Sequence, residues 1–343
     1  MEHVAIDLGG RESQICVRAA DGTVVEERRC ETRKLGRYLK ERPPSRVVVE
    51  TCAEAFSVAD EAIKLGHEVR VVPATLAPAL GVGERGTKTD TRDARKLSEV
   101  STRIDLPSVH VPSPQARERK ALCGSRDSLV RARTQLVNHV RGALRTERVR
   151  IRSGKTETFV ERVQQSVSKL PSHLEPLLAA VVQLSEHIAV LDAQLLLIVK
   201  SEPQCQILMT MPGVGPVTAV RFVATVDAIG RFESAHKLQA YLGLTPGEDS
   251  SSDKKRRTSI TKAGPAAMRW TLVQAAWAAR RAKGKHPMLL WAQQVELRRG
   301  KRVAVLALAR KMAGALYAMW RDQVPYDPNR AAKIPAPMPM LAD

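Results

Sequence analysis

Short apolar runs separated by turn residues dominate the first quarter of the chain. Residues 3–9 (HVAIDLG) form an apolar run that stops at an acid and a glycine, the pattern of a buried strand whose last side chain opens onto a cleft. Residues 13–18 and 23–28 read as two further strands joined through Asp21-Gly22, so the first three strands form a meander. A helix over residues 32–41 is stopped by Pro43-Pro44, and residues 46–50 (RVVVE) form another buried strand, again ending in a carboxylate. Gly66 closes a helix over residues 55–65, and Pro73 halts a strand over residues 67–72.

The period then lengthens. Residues 114–144 are helical and basic, with Leu122, Leu129, Leu136 and Ala143 spaced by sevens. Leu177, Val181, Leu184, Ile188, Leu191, Leu195 and Ile198 alternate by four and three, which is a coiled-coil seam. These two helices form either an antiparallel hairpin or a dimerising arm. Three more helices, over residues 265–282, 286–298 and 301–321, are apolar on one face, and Trp270, Trp277, Trp291 and Trp320 are assigned to their core. Beyond Pro325 the proline-rich tail reads as disordered.

Strand, strand, strand, helix, strand, helix, strand, helix is the order of an α/β ribonuclease H-like fold. The expected architecture is that domain over residues 1–110, a helical coiled-coil arm over 111–202, a mainly α-helical C-terminal domain over 203–325 and a tail over 326–343. In a ribonuclease H-like sheet the C-terminal ends of the first and fourth strands are neighbours, which brings Asp7 and Glu50 together. Taken singly, each acid reads as solvated turn chemistry.

Charge changes the picture most. Lysine and arginine outnumber aspartate and glutamate by 55 to 36, for a formal net charge of +19. Positive charge recurring in clusters points to a polyanionic partner, nucleic acid first, although a non-catalytic RNA-binding protein carries the same signature. The five cysteines never form a CxxC pair, so neither a zinc site nor a disulfide framework is expected. With no signal sequence and no apolar run read as long enough for a bilayer, the expectation is a reduced, cytoplasmic protein without a membrane partner.

Candidate chemistry centres on residues 88–95 (KTDTRDAR), where Asp90 and Asp93 stand one helical turn apart. Adjacent carboxylates are stable together in ionised form when a cation lies between them, which makes this half of a metal site. The bland reading is a helix start, with Asp90 as N-cap and Asp93 as a favourable first-turn charge. Asp7, Glu50, Asp90 and Asp93 together form a set of four hard oxygen ligands suited to Mg²⁺ or Mn²⁺ and to phosphodiester chemistry. The loop between them carries Gly81, Gly83 and Gly86 but no phosphate-cradling motif.

Candidate nucleic-acid contacts are Lys88, Arg92 and Arg95 beside those acids, then Arg131, Arg133, Arg141 and Arg145. The arginine series runs on through Arg148, Arg150 and Arg152 and reads either as a solvated face or as backbone contact. Residues 211–219 (MPGVGPVTA) resemble the hairpin of helix-hairpin-helix modules, in which Gly213 and Gly215 would let the backbone approach a phosphate. Ser250, Ser251 and Ser252 lie beside Lys254, Lys255, Arg256 and Arg257, with Lys262 further on. That composition is either a flexible linker or a hydroxyl presented to a phosphate that the cations neutralise.

The motifs AIDLG, VVVET, KTDTRDA, PGVGPVTA, GLTP…SS…ITKAG and ALARKM, in this order over nearly the whole chain, resemble DEDD transposases of the insertion-sequence-110 type, relatives of the Piv invertases. The resemblance implies a RuvC-like N-terminal domain whose metal site is Asp7, Glu50, Asp90 and Asp93. It implies a C-terminal transposase domain whose serine nucleophile attaches to DNA, guidance by a bridge RNA, and assembly as a homo-oligomer, dimer or tetramer. The family serine precedes a glycine in a PxxxSSG-like string and maps to Ser251, but here Ser252 occupies the glycine position, so Ser250 and Ser252 stay as alternatives.

The function expected is a recombinase that excises and inserts its own element by metal-dependent cleavage and strand exchange. A Holliday-junction nuclease using only the acids and water, and a non-catalytic nucleic-acid-binding relic, are the rivals.

Overall fold

The computed structural model describes residues 1–76, 79, 90–248, 257–282 and 286–329, apart from the side chains of Asp90, Thr91 and Arg257. The chain forms two compact units, Met1–Ser113 and Pro114–Asp343.

The first unit is an α/β layer structure. Its strands are β1 (His3–Asp7), β2 (Glu12–Arg18), β3 (Val24–Glu31), β4 (Arg46–Glu50) and β5 (Glu68–Val72), in the sheet order β3-β2-β1-β4-β5. β2 runs antiparallel to β1 and β3, while β1, β4 and β5 are parallel. This mixed sheet is compatible with a ribonuclease H-like start. The middles of the central strands β1 and β4 (residues 4–6 and 47–49) are apolar because helices cover both faces. β3 sits at the edge, and its sequence VVEERRCE keeps charge toward water. It runs three residues past the expected end at Arg28, because Glu12 to Arg18 offers a ladder that reaches Glu31.

One sheet face, built from Val4, Ile6, Ile15, Val17, Val47 and Val49, packs against α1 (Leu35–Lys40) and α2 (Ala55–Lys64). Alternate residues point the other way, so Ala5, Val48 and Val72 meet Leu97 of α3 (Asp90–Arg103) on the opposite face. Small residues let α3 lie close to the sheet. Ser98 Oγ accepts from Arg18 Nε at 3.0 Å, and the buried His3 Nδ1 lies 2.7 Å from Ser101 Oγ.

The second unit is mostly helical. α4 (Pro114–Thr146) and α6 (Glu175–Ser201) pack as an antiparallel hairpin, with α5 (Phe159–Ser166) between them in sequence. Of the expected seam on α6, Val181, Ile188 and Leu195 are buried, and Leu177, Leu184, Leu191 and Ile198 are half-buried. On α4 the leucine heptad is only half-buried, and the buried stripe lies beside it at Ala116, Arg119, Cys123, Arg133, Val137, Val140 and Leu144. Arg119, Arg126 and Arg133 are spaced by sevens and tie to Glu202, Asp192 and Ser185 respectively. A polar ladder thus runs alongside the apolar contact.

The remaining helices are α7 (Pro203–Met209), α8 (Pro216–Val226), α9 (Ala235–Tyr241), α10 (Ala266–Ala279), α11 (Pro287–Arg299) and α12 (Lys301–Asp322). They share one core built on Phe222, Leu238, Leu272, Leu308, Leu316 and Trp320. Arg221 is buried at their junction with α4. Its guanidinium bonds Thr271 Oγ1 at 2.5 Å, Cys123 O at 3.1 Å and Asp127 at 2.7 Å.

Two expectations are corrected. Trp270 is 58% exposed and stands outside the core, because α10 turns that face outward; Trp320 is buried, and Trp277 and Trp291 are partly so. Two apolar segments, Ser172–Ser201 and Lys301–Asp322, are long and apolar enough to cross a membrane by length and composition. The charged residues scattered along both hide that when only uninterrupted apolar runs are sought. α12 spends its apolar face in the protein core, and on α6 Asp192 is paired with Arg126.

Candidate active site and nucleic-acid interface

β1 and β4 are paired in parallel from His3 opposite Arg46 to Ile6 opposite Val49. Asp7 and Glu50 are the next residue of each strand, and so end adjacent strands, which lie about 4.8 Å apart. Both are half-buried. Asp7 follows Ala5, and Glu50 follows Val48, by two positions, so both acids share the α3 face of the sheet.

α3 runs back along that face. Its Ser101 meets His3 at the start of β1, and eight helical residues lead from Ser101 to Asp93. Those eight rise about 12 Å, so Asp93 lies toward the Asp7 end of that face. Asp93 is buried and lies on the stripe it shares with Ala94, Leu97, Ser98 and Ser101. α3 opens at Asp90, whose backbone lies one turn before Asp93. Among the described residues no group of three His, Cys, Asp or Glu is arranged to hold a metal ion. The Asp90 side chain, which that description leaves out, is part of the expected set. The donors fit a hard divalent cation in kind, since every one is a carboxylate oxygen.

The basic candidates separate by environment. Arg92 is exposed on α3. Arg95 grips Glu27 of β3 through both guanidinium branches, and that contact holds the Glu27 carboxyl below the usual range. Arg133 is buried, donating to Ser185 Oγ at 3.1 Å and to Glu157 at 3.4 Å. Arg141 lies half-buried with its guanidinium 5.4 Å from the Phe159 ring centre. Arg131 and Arg145 are exposed on α4, and Lys262 is exposed with a left-handed backbone at φ 56°.

Residues 211–219 hold the turn that leads from α7 into α8 and the first residues of α8. Gly213 has φ 84°, and a Cβ there would stand 2.3 Å from Ala275 O and 2.6 Å from Ala279 N. That glycine lets the turn seat on α10. Gly215 has open space around its missing Cβ.

Residues 249–256, with Ser250, Ser251, Ser252, Lys254, Lys255 and Arg256, lie outside the described residues, as do Lys88, Gly81, Gly83, Gly86 and the tail from residue 330. What flanks the serines is described. β6 (Pro246–Glu248) and β7 (Arg257–Ile260) pair antiparallel, with Glu248 opposite Arg257, so the serine-bearing stretch joins two paired strand ends. Composition alone reads this region as a linker and misses the hairpin.

The root of that hairpin is backbone packed on backbone. A Cβ on Gly243 would stand 2.1 Å from Ala263 O, and one on Gly264 would stand 2.0 Å from Tyr241 O; both residues have positive φ. Arg269 Nη1 donates to Leu242 O at 3.2 Å and so braces the root from α10. The glycines of GLTP and TKAG were the sequence signal for it, and Arg269 gave none.

The first unit thus carries a mixed α/β sheet with acids at one strand-end edge, and the second unit is mostly helical. Residues 4–148 match a family model of DEDD transposases of the IS110 type, and residues 205–290 match that of the transposase IS116/IS110/IS902 family. A probable family 20 transposase of Pseudomonas aeruginosa is 29% identical over 96% of this chain and 99% of its own length. The transposase for insertion sequence element IS1111A of Coxiella burnetii is 27% identical over 94% of this chain and 90% of its own. A putative transposase of Sinorhizobium fredii, y4pF/y4sB, is 30% identical over 82% and 74% respectively. The chain belongs to the IS110-type DEDD transposases.

Proposed function

We propose that this transposase excises and inserts its own element by metal-dependent cleavage and rejoining of phosphodiesters, with Ser251 as the nucleophile. What supports the reading is that Asp7 and Glu50 end adjacent parallel strands and point to the sheet face that α3, carrying Asp93, covers. With Asp90, these carboxylates would hold one or two Mg²⁺ or Mn²⁺ ions, which when bound neutralise phosphate charge.

The serine hydroxyl loses its proton, a P–Oγ bond forms, and the bridging bond from phosphorus to a deoxyribose oxygen breaks, that oxygen leaving with a proton. Attack by a deoxyribose hydroxyl reverses the step and reseals the strand. The hairpin that flanks the serine stretch is held at its root by Gly243, Gly264 and Arg269, and the neighbouring cations would neutralise the phosphate under attack. A bridge RNA encoded with the element, a homo-oligomer that lets acids and serine act across subunits, and a cytoplasmic location complete the proposal.

Denaturing electrophoresis of reactions on element-end DNA tests it. Ser251→Ala abolishes the protein–DNA adduct, and Asp7→Ala abolishes metal-dependent cleavage while leaving nucleic-acid binding intact. An adduct that persists in Ser251→Ala moves the nucleophile to another residue. Cleavage without any adduct in the wild type favours hydrolysis by the acids and water.

A further inference from the structure

At the end where α4 passes toward α5, the α4–α6 hairpin has a core of its own. Val137, Val140, Leu144, Phe159, Val163, Leu174, Leu178 and Val181 form it, separate from the core that gathers Cys123, Leu195 and Val199 at the other end. From Cys123 to Leu144 α4 rises about 31 Å, so this cap stands well away from the main core of its unit.

The chain over residues 148–152 (RVRIR) crosses the cap with alternating burial. Val149 and Ile151 pack onto the cap core, and Arg148, Arg150 and Arg152 are exposed. Between residues 145 and 155 there are five cations, Arg145, Arg148, Arg150, Arg152 and Lys155, and one carboxylate, Glu147. None of the five forms an ion pair within the described residues.

Two features show that the row is built rather than loose. Arg162 of α5 donates to Arg152 O at 2.9 Å, Lys155 O at 2.6 Å and Thr158 O at 3.1 Å, locking the segment that follows. Its guanidinium occupies the place a Cβ on residue 154 would take, 2.2 Å away, so Gly154 leaves room for it. The second feature is Arg148. Val149 N donates to Leu144 O at 2.9 Å and Arg148 has φ 63°, which closes α4 with a left-handed residue where glycine is the favoured choice. The chain carries a strained arginine at a position that glycine would fill more stably.

We propose that Arg148, Arg150, Arg152 and Lys155 form a surface that grips the phosphate backbone of duplex DNA. The inference rests on the reading that this protein acts on DNA. Long cations standing beside one another on a fixed backbone suit the repeated charge of a phosphate backbone, which positions a protein on the duplex without carrying sequence information. Binding at the cap adds affinity and fixes the orientation of the arm on the duplex.

The test measures anisotropy of random-sequence duplex DNA with the full-length protein in EDTA over a salt series, so neither the metal site nor Ser251 enters. Arg148→Gly raises the melting temperature and weakens DNA binding together, a pairing that a merely structural arginine does not produce. Arg148→Gly/Arg150→Gln/Arg152→Gln lowers affinity about tenfold or more and reduces the slope of log affinity against log salt by about 2–3, near 0.9 per lost phosphate contact. The charge-matched Arg37→Gln/Lys40→Gln/Lys64→Gln in the first unit leaves that slope in place. An equal loss in the charge-matched variant reduces the effect to net charge and overturns the proposal, as does loss of binding to RNA duplex with binding to DNA retained.

Discussion

Replacing Asp7 by asparagine tests the acid edge without relying on catalysis. Asp7 and Glu50 end adjacent parallel strands, and the helix carrying Asp93 covers the same sheet face. Like charges on neighbouring strand ends repel, and at a half-exposed edge screening leaves about 1 kcal/mol of that repulsion. Asparagine keeps the shape and removes that charge. In EDTA the first unit of Asp7→Asn should therefore melt about 4–6 °C higher than wild type. With Mg²⁺ at about ten times its dissociation constant, wild type should gain about 1.4 kcal/mol and Asp7→Asn nothing, so the order of the two melts reverses. The assay is thermal unfolding by circular dichroism, with tryptophan fluorescence as an internal control. Trp270, Trp277, Trp291 and Trp320 all lie in the second unit, so fluorescence follows that unit alone and should not move. Equal Mg²⁺ shifts in both proteins, or none in the wild type, would refute the assignment of an ion to this edge.

Two further outcomes follow from local structure. Burial pushes the His3 imidazole below its ordinary 6.5, with Arg46 adding to the effect. A lowered folded pKa means that the unfolded chain takes up its proton first as pH falls. Stability of the first unit is therefore lost on acidification below about 6.5, and His3→Gln should flatten that part of a pH–melting profile. Gly213→Ala must place a Cβ 2.3 Å from Ala275 O and 2.6 Å from Ala279 N at φ 84°, and these two nearest atoms are backbone. Denaturant titration by tryptophan fluorescence should show a loss of about 2–3 kcal/mol, against about 1 kcal/mol for Gly22→Ala in the first unit by circular dichroism, where φ is 87° but the space is open.

How much of this was legible in the chain depends on whether an element depends on its own residues or on distant ones. β1, β4 and β5 carry runs of valine and isoleucine bounded by glycine and proline, and any sheet that buries both faces selects such runs. The acid edge was legible for the same reason, because strand order puts the ends of β1 and β4 side by side whatever helices cover them. The hairpin β6–β7 was not legible. Its strands are three and four residues long, carry no alternating pattern, and are fixed by Gly243 and Gly264 meeting backbone some twenty residues away in sequence.

Arginine was the least readable residue type, since its role is set by what lies opposite it. Arg131 and Arg133 stand two apart on α4, and two helical residues differ by about 200° around the axis. Arg131 consequently faces water, while Arg133 enters the α4–α6 contact and is bonded there to Ser185 and Glu157. Period-seven leucines draw attention to the neighbouring stripe, Arg133 reads from sequence as a nucleic-acid contact, and the heptad it forms with Arg119 and Arg126 shows only through partners Glu202, Asp192 and Ser185 on or beside the second helix. A basic total of +19 thus divides into cations that hold the arm together and cations that remain for a polyanion. The second group is concentrated where Val149 and Ile151 anchor an otherwise irregular segment to the cap. Substitutions in the ladder should therefore change unfolding of the arm first, and substitutions in the cap should change salt-dependent binding first.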